Sequence, residues 1–132
     1  MKNAQLVECG RLKLVAADER REIHELAFSP PGGRVQFFWI MGRGPLGQHF
    51  HKRTEEVFSI MNGRGVIFVV PVDDNGKMIG SVSRFDVNRG CVIRIPQFHA
   101  HRFDMVEGTE MLAFSSLPFD QADLFPCPIE VP

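Results

Sequence analysis

The 132-residue chain predicts an all-β fold, a sandwich, jelly roll or barrel that forms a single domain. Short runs rich in Val, Ile and Phe recur along the sequence, as half-buried pleated strands prefer. Turn residues separate these runs, and no long helical window lies between them. A chain of this length buries roughly two-thirds of its unfolded surface, which is enough for one hydrophobic core.

The predicted strands follow one another at short intervals. They cover residues 12–16, 35–41, 56–61, 66–72, 82–87, 91–95 and 110–115. Residues 17–26 suit either a strand or one to two helical turns, and both alternatives stay open. Predicted turns cover residues 30–33, 42–47, 62–65, 73–76 and 88–90, where glycine and short polar side chains favour positive φ. The turn 73–76, Asp-Asp-Asn-Gly, is the strongest hairpin signal.

The C-terminal segment 117–132 differs in composition from the rest. It carries four of the nine prolines, which oppose regular strand pairing. We therefore expect this tail to lie extended across the barrel or a neighbouring subunit. The core of the barrel is expected at about residues 35–116 of a single domain that spans residues 1–132.

The overall composition excludes several classes of protein. A formal net charge of −1 gives no field that would attract nucleic acid or an anionic membrane. No apolar run approaches the roughly 20 residues of a membrane-spanning helix, and no secretory signal follows the N-terminus. The three cysteines (Cys9, Cys91 and Cys127) are scattered and odd in number, which argues against a disulfide framework. We expect a reduced, cytoplasmic setting.

Four of the five histidines form two His-x-His pairs, His49 with His51 and His99 with His101. Residues two apart in a strand project from the same face, so each pair can direct both imidazoles at one point. Imidazole is the commonest neutral metal ligand near physiological pH. Glu56 opens a predicted strand shortly after the first pair, where its carboxylate can complete a coordination sphere and offset the charge of the cation.

Residues 44–63 resemble the first motif of the cupin family: His-x-His, a short gap, Glu, six residues and Gly. Residues 90–101 resemble the second motif, in which Gly, five residues and Pro precede the third histidine. The resemblance implies a double-stranded β-helix, the cupin or jelly-roll barrel. It also implies one divalent transition metal (Fe, Mn, Zn, Ni, Co or Cu), whose identity the ligands do not select. The implied metal ligands are His49, His51, Glu56 and His101.

The motif positions leave two alternatives. Arg43 and Phe98 replace glycines of the motifs, and Met105 replaces an asparagine. Phe98 suggests a different local turn, with which His99 instead of His101 would face the metal. Glu55 is the rival of Glu56, although the spacing to Gly63 favours Glu56.

The motifs also fix three backbone positions. They imply turns at Gly63 and Gly90 and a fixed approach to the third histidine at Pro96.

A second, looser resemblance is to small cupins of nucleotide-sugar and surface-polysaccharide pathways. It implies an enzyme acting on a small polar or anionic substrate, either an isomerase or epimerase of a sugar derivative or an oxygen-dependent dioxygenase. In that case His99 or Glu55 is the expected acid/base residue. The alternative is a non-catalytic metal-binding or ligand-binding module. Cupins of this size commonly pair, so a homodimer is expected.

Several side chains have an ordinary structural interpretation. The aromatic residues are expected mainly to fill the core, with some lining a cavity beside the metal. They are Phe37, Phe38, Trp39, Phe50, Phe58, Phe68, Phe98, Phe103 and Phe114. Phe50, between the two histidines, should point away from the metal. His24 is expected on the surface. Four arginines are candidates for meeting an anionic substrate, although each is otherwise a solvated charge: Arg43, Arg64, Arg94 and Arg102.

Overall fold

The computed structural model describes residues 10–26, 33–42 and 44–131, and strands dominate this part of the chain. The strands are β1 (Lys13–Ala17), β2 (Arg21–Glu25), β3 (Arg34–Ile40), β4 (Leu46–Phe50), β5 (Glu56–Asn62), β6 (Arg64–Pro71), β7 (Ser83–Asn88), β8 (Val92–Ile95), β9 (His99–Met105), β10 (Glu110–Ser115) and β11 (Phe125–Pro126). A short 3₁₀ helix covers Gln121–Asp123. No helix in the described residues is long and apolar enough to cross a membrane.

The strands form two antiparallel sheets that face each other. The first sheet has the order β1-β2-β3-β10-β5-β8, and the second has the order β11-β4-β9-β6-β7. The chain crosses repeatedly from one sheet to the other, for example from β3 to β4 and from β4 to β5. This arrangement is the predicted jelly-roll barrel. Its first sheet begins at Lys13, well before the expected core of the barrel.

The main core lies between the two sheets, because each strand directs alternate residues inward. The first sheet contributes Phe58, Ile60 and Met111, and the second contributes Ile67 and Phe103, all buried. Along β5 the alternation is plain, since Glu56, Phe58 and Ile60 are buried while the residues between them are partly exposed.

A second core lies on the outer face of the second sheet, where the C-terminal tail covers it. Phe50, Val70 and Ala100 project from that face and pack with Cys127 and Ile129 of the tail. Strand β11 pairs with β4, and this pairing fixes the tail along the edge of the sheet. Phe50 therefore points away from the barrel interior, as the strand period predicts.

The strand predictions are accurate where Val, Ile and Phe dominate. The predicted strand 110–115 coincides with β10, and 35–41 differs from β3 by one residue at each end. The open segment 17–26 contains the strand β2. The strands β4 and β9, which contain most of the two histidine pairs, lie outside the predicted runs because glycine and polar residues interrupt their apolar pattern.

The predicted turns 62–65, 73–76 and 88–90 are present, whereas the predicted turn 42–47 extends into β4, and residues 30–32 and 43 lie outside the described residues. At 73–76 the amide of Gly76 donates to the carbonyl of Asp73, and Val72 bridges Met78, as in a hairpin. Gly63 joins β5 to β6 with φ 93°. A Cβ on Gly63 would lie 2.3 Å from Oγ1 and 2.7 Å from Cα of Thr109, so the turn also requires a residue without a side chain.

The outer face of the first sheet is largely apolar, and several of its large hydrophobic side chains are exposed. A row across it joins Leu14, His24, Phe37, Leu112, Ser59 and Val92 through successive strand pairs. Trp39 is 46% exposed, Phe114 44% and Val92 65%. Phe37, Trp39 and Phe114 are therefore exceptions to the expectation that the aromatic residues mainly fill the core, because they occupy the outward positions of β3 and β10.

We expect Gly63→Ala to destabilise the fold by at least about 2 kcal/mol, because it adds both a strained φ and a clash with Thr109. Gly108→Ala is the matched control, since Gly108 has φ 89° but open space around the added Cβ. It should cost only about 1–2 kcal/mol. Urea unfolding of the two variants measures the difference, and equal losses would mean that contact with Thr109 is unimportant.

Candidate metal centre

Four polar side chains converge inside the barrel: His49, His51, Glu56 and His101. His49 on β4 lies directly opposite His101 on β9 in the second sheet. Glu56 is the first residue of β5 and reaches the same point from the first sheet. We call this group the His–Glu cluster. Its members come from two distant stretches of chain that the jelly-roll topology brings together.

A bulge in β4 shapes this convergence. The register with β9 shifts between Gly47 and His49, and Gly47 and Gln48 have φ 83° and 60°. A Cβ on Gly47 would lie 2.9 Å from the carbonyl oxygen of His101, so glycine permits the close approach of the two strands. Phe98, where the motif has glycine, takes the same left-handed backbone with φ 58°.

The donor atoms of the cluster lie within 4.8 Å of one another. Nε2 of His51 is 3.1 Å from Oε1 of Glu56, and Nε2 of His101 is 3.7 Å from the same oxygen. Nε2 of His51 and Oε1 of Glu56 are buried and have no hydrogen-bond partner among the described residues. Buried polar atoms are normally satisfied. Three imidazoles and a carboxylate with free donor atoms at one point suit a divalent transition metal.

Burial and the charges within the cluster favour the metal-binding forms of His49, His101 and Glu56, whereas His51 has to lose a proton before it binds a metal. Burial, with repulsion from His101 and His51, lowers the pKa of His49 to about 3. Burial also lowers the pKa of His101, so both imidazoles are neutral at physiological pH. Burial alone would raise the pKa of Glu56, but the histidines, His51 first, hold it below the usual value. The carboxylate is therefore ionised, and it in turn holds the pKa of His51 above normal against the effect of burial.

The C-terminal tail orients His51. Nδ1 of His51 lies 2.7 Å from the carbonyl oxygen of Asp123, which places the ring proton on Nδ1 and leaves Nε2 free to face the cluster. The Asp123 carboxylate is buried and accepts hydrogen bonds from the amides of Lys52 and Arg53 and the hydroxyl of Thr54. Asp123 of the tail thus fixes both the His51 ring and the loop that follows His51.

A cavity of about 580 Å³ opens beside the cluster, and all four cluster residues line it. Its apolar wall includes Phe38, Phe58 and Phe103, so some of the aromatic residues line a cavity as expected. Its polar lining also includes residues from β2 and β3, namely Arg21, Glu25, Arg34 and Gln36. A mainly apolar cavity with a few polar groups is typical of a small-molecule site.

The other candidate residues lie outside this cavity. Nδ1 of His99 lies 2.8 Å from the carbonyl oxygen of Gln97, and Glu55 pairs with Arg94 at 2.9 Å. Neither His99 nor Glu55 lines the cavity, so the acid/base role predicted for them has no support in this geometry. His24 pairs with Glu22 on the outer face of the first sheet.

The arginines of the cavity are not those singled out in the sequence. Arg64, Arg94 and Arg102 do not line it, and Arg43 lies outside the described residues. Arg94 pairs with Glu55 and Arg102 with Asp104. The arginines that do line it are Arg20, Arg21 and Arg34. These arginines reach the cavity only because β2 and β3 pair with the rest of the first sheet. No local sequence pattern marks them.

Comparison with protein families gives one match. Residues 31–122, which is most of the chain, match the family described as Cupin. The match includes the whole His–Glu cluster. Among curated protein sequences, none matches this chain.

Several solved structures have a similar fold. The capsular polysaccharide assembling protein CapF from Staphylococcus aureus superposes with a TM-score of 0.78 at 20% identity, over 92% of this chain and 33% of CapF. This chain thus spans about a third of the length of CapF. A cupin-2 domain from Rhodospirillum rubrum gives a TM-score of 0.66 at 20% identity, over 96% of this chain and 81% of that one. Pac13, a nucleoside dehydratase from Streptomyces, gives 0.64 at 13% identity, with 87% of each chain covered.

We expect Asp123→Ala to weaken metal binding by about 10–100-fold, the usual effect of losing a residue that supports a metal ligand. The substitution removes the hydrogen bonds that fix the tail against the loop after His51. Competition titration with a chelator measures the affinity for Co²⁺ or Zn²⁺.

The control for this experiment is Asp86→Ala, which removes an exposed carboxylate paired with Arg84 on β7 and should bind metal as the wild type does. If Asp123→Ala lowers the melting temperature but leaves the metal affinity unchanged, Asp123 only stabilises the fold and does not position His51.

Proposed function

The chain belongs to the cupin family, and from this premise we propose that it is a metal-dependent enzyme that acts on a small anionic or hydroxylated substrate inside the barrel. The observation that carries the proposal is the His–Glu cluster, whose unpartnered donor atoms lie in the wall of a cavity of about 580 Å³. A structural metal has no need of an adjoining cavity. A catalytic one does, since substrate has to reach the metal.

The proposed ligands are His49, His51, Glu56 and His101, each through one atom. Three neutral imidazoles and one carboxylate leave a bound divalent cation with a net charge near +1. Four protein ligands would leave a bound metal able to accept a substrate atom as a further ligand. A metal in such a site supplies Lewis-acid chemistry, polarising a carbonyl or stabilising an enolate. Iron, manganese, nickel, cobalt, copper and zinc all accept this ligand set.

Within this proposal the other residues of the cavity bind, orient and exclude water. The rings of Phe38, Phe58 and Phe103 provide the apolar surroundings. Glu25 lines the cavity outside the cluster, and Nε2 of Gln36 donates to its Oε1 at 3.3 Å. A carboxylate in this place is suited to accept or return a substrate proton. We therefore propose isomerisation or epimerisation as the reaction class, with Glu25 in the role expected of His99 or Glu55.

The structural neighbours suggest which substrates to test first. CapF is described as a capsular polysaccharide assembling protein and Pac13 as a nucleoside dehydratase. At 13–20% identity, these similarities show that the fold is shared and do not by themselves show a shared activity. Together with the sequence resemblance to cupins of nucleotide-sugar pathways, they support nucleosides, nucleotide sugars and sugar acids as the first compounds to screen.

Protein purified without added metal is expected to contain about one divalent transition metal per chain. His101→Ala and Glu56→Gln should lower metal affinity by more than the roughly 10–100-fold that loss of a supporting residue costs. Elemental analysis gives the metal content. His99→Ala and Glu55→Gln are matched controls, because both residues neighbour the ligands without lining the cavity. Loss of metal in a control, with retention in His101→Ala or Glu56→Gln, would reverse the assignment.

The reaction class has its own test. Incubation of the metal-loaded enzyme with sugar derivatives in heavy water should introduce deuterium at a substrate carbon, detected by NMR. Glu25→Gln should reduce the exchange at least 100-fold, as general-base catalysis typically contributes, while metal content stays unchanged. Oxygen uptake without exchange would favour a dioxygenase. Tight binding with neither reaction would identify a non-catalytic ligand-binding module.

We further propose that the protein is a homodimer whose subunits meet through the apolar outer face of the first sheet. Six strands about 4.8 Å apart and five residues long present a surface of roughly 400 Å². Patches of that size on a monomer commonly mark interaction sites. Trp39 and Phe114, both large and about half exposed, provide the aromatic anchors typical of interfaces. A cytoplasmic location also remains a proposal, consistent with the free cysteines Cys91 and Cys127.

Trp39→Glu is expected to convert the dimer to a monomer, because it replaces an exposed aromatic anchor with a charge that lies between Glu22 and Glu110 of the neighbouring strands. Light scattering coupled to size-exclusion chromatography measures the mass. Ile79→Glu is the control, since Ile79 is 62% exposed in the connection between β6 and β7, away from this face. A monomeric wild type, or a dimeric Trp39→Glu variant, would contradict the proposed interface.

A further inference from the structure

Arg34 stands out among the polar residues of the cavity. It is the first residue of β3 and is half-buried, and it lines the cavity together with the His–Glu cluster. Its Nε is buried and has no hydrogen-bond partner among the described residues. A buried donor left unpaired is destabilising, and such atoms are rare in folded proteins.

The two other arginines of the cavity, Arg20 and Arg21, do have partners within the protein. Arg20 pairs with Asp18 at 2.9 Å and also donates to the carbonyl of Pro45. Arg21 pairs with the same Asp18 carboxylate at 2.5 Å. Both arginines are thus engaged within the protein, although a single carboxylate offsets only part of their combined charge. Among the described residues, Arg34 is the cavity arginine without a paired carboxylate.

The groups around Arg34 hold its guanidinium in place, but none of the described ones accepts a hydrogen bond from its Nε. Its Cζ lies 5.1 Å from the centre of the Phe119 ring, in a cation–π contact. Burial lowers the pKa of Arg34, and the nearby carboxylates of Glu25 and Glu56 oppose that effect in part, but neither forms an ion pair with it. Arginine stays protonated in proteins, so a positive charge with an unpaired Nε–H lies in the wall of the cavity.

We propose that Arg34 binds a carboxylate of the substrate, and that the other oxygen atoms of the substrate face the His–Glu cluster. This inference rests on the proposed function and names its substrate class, a small carboxylic acid. The Nε–H and a terminal N–H of a guanidinium form a planar fork that matches the two oxygens of a carboxylate. Arg34 presents a buried Nε of this kind. Arg34 is one positive centre of the cavity, and a bound metal would be the other. The site therefore favours a substrate with oxygen ligands at both ends.

The test uses three dicarboxylates of increasing length (malonate, succinate and glutarate) and their monoamides as probes. Each monoamide keeps the shape but loses one charge. Isothermal titration into the metal-loaded protein should show at least about 10-fold tighter binding of the best dicarboxylate than of its monoamide, since charge-assisted hydrogen bonds are the stronger kind. Arg34→Gln should abolish this preference, and Arg34→Lys should retain part of it.

Two controls separate this role from a structural one. Arg94→Gln removes an arginine of the same sheet that lies outside the cavity, and it should bind the probes as the wild type does. Arg34→Gln should keep its metal content and should lower the melting temperature only slightly, because it loses the contact with the Phe119 ring but no hydrogen bond of Nε.

The inference is overturned if Arg34→Gln retains the preference, if no dicarboxylate binds the wild type, or if inorganic phosphate binds more tightly than all three. Failure of the proposed function would look different. In that case purified protein would contain no metal and accept none, while a preference that depends on Arg34 would persist in titrations of the metal-free protein.

Discussion

The constraint on which this structure depends is the burial of four polar donors within an apolar barrel. Removing an imidazole or a carboxylate from water is costly unless its atoms are paired. The barrel satisfies the outward-facing Nδ1 of His51 with a backbone carbonyl but leaves Nε2 of His51 and Oε1 of Glu56 without partners. The depressed pKa values of His49 and His101 follow from the same burial. A divalent cation would satisfy all four groups at once, which explains why the fold tolerates them together.

The tail contributes to this arrangement as much as the barrel strands do. Cys127 and Ile129 cover the outer face of the second sheet, so β4 and β9 are buried on both sides and held rigidly. Asp123 then fixes His51 and the loop behind it from a position 72 residues away. Phe119 and Leu124 bring the same segment to the wall of the cavity. The tail therefore belongs to the site, although its sequence carries none of the family motifs.

Strand periodicity was sufficient to predict the all-β class, and the resemblance to the two family motifs implied the jelly-roll barrel and the members of the cluster. The pleat of β5 also decides between neighbouring carboxylates, since Glu56 faces inward and Glu55 pairs outside with Arg94. Prediction was poorest where contacts are distant in sequence. Nothing local marks Arg34 or Asp123, whose importance arises only from strand pairing and from the path of the tail. The two histidine strands escaped prediction because their function requires polar residues and glycine in place of Val and Ile.

The charges around the cavity limit what it can bind. Asp18 pairs with Arg20 and Arg21 and offsets part of their combined charge, and Glu56 offsets part of the charge of a bound cation. Glu25 remains as one negative group, and Arg34 remains as a positive group without an ion-pair partner. With a divalent metal in the cluster the cavity is positive at two separate points that are bordered by aromatic rings. A neutral sugar would leave the donor of Arg34 unsatisfied, and a cationic ligand would be repelled. An acid with a second oxygen function satisfies both centres, and Glu25 then lies beside it as the available base.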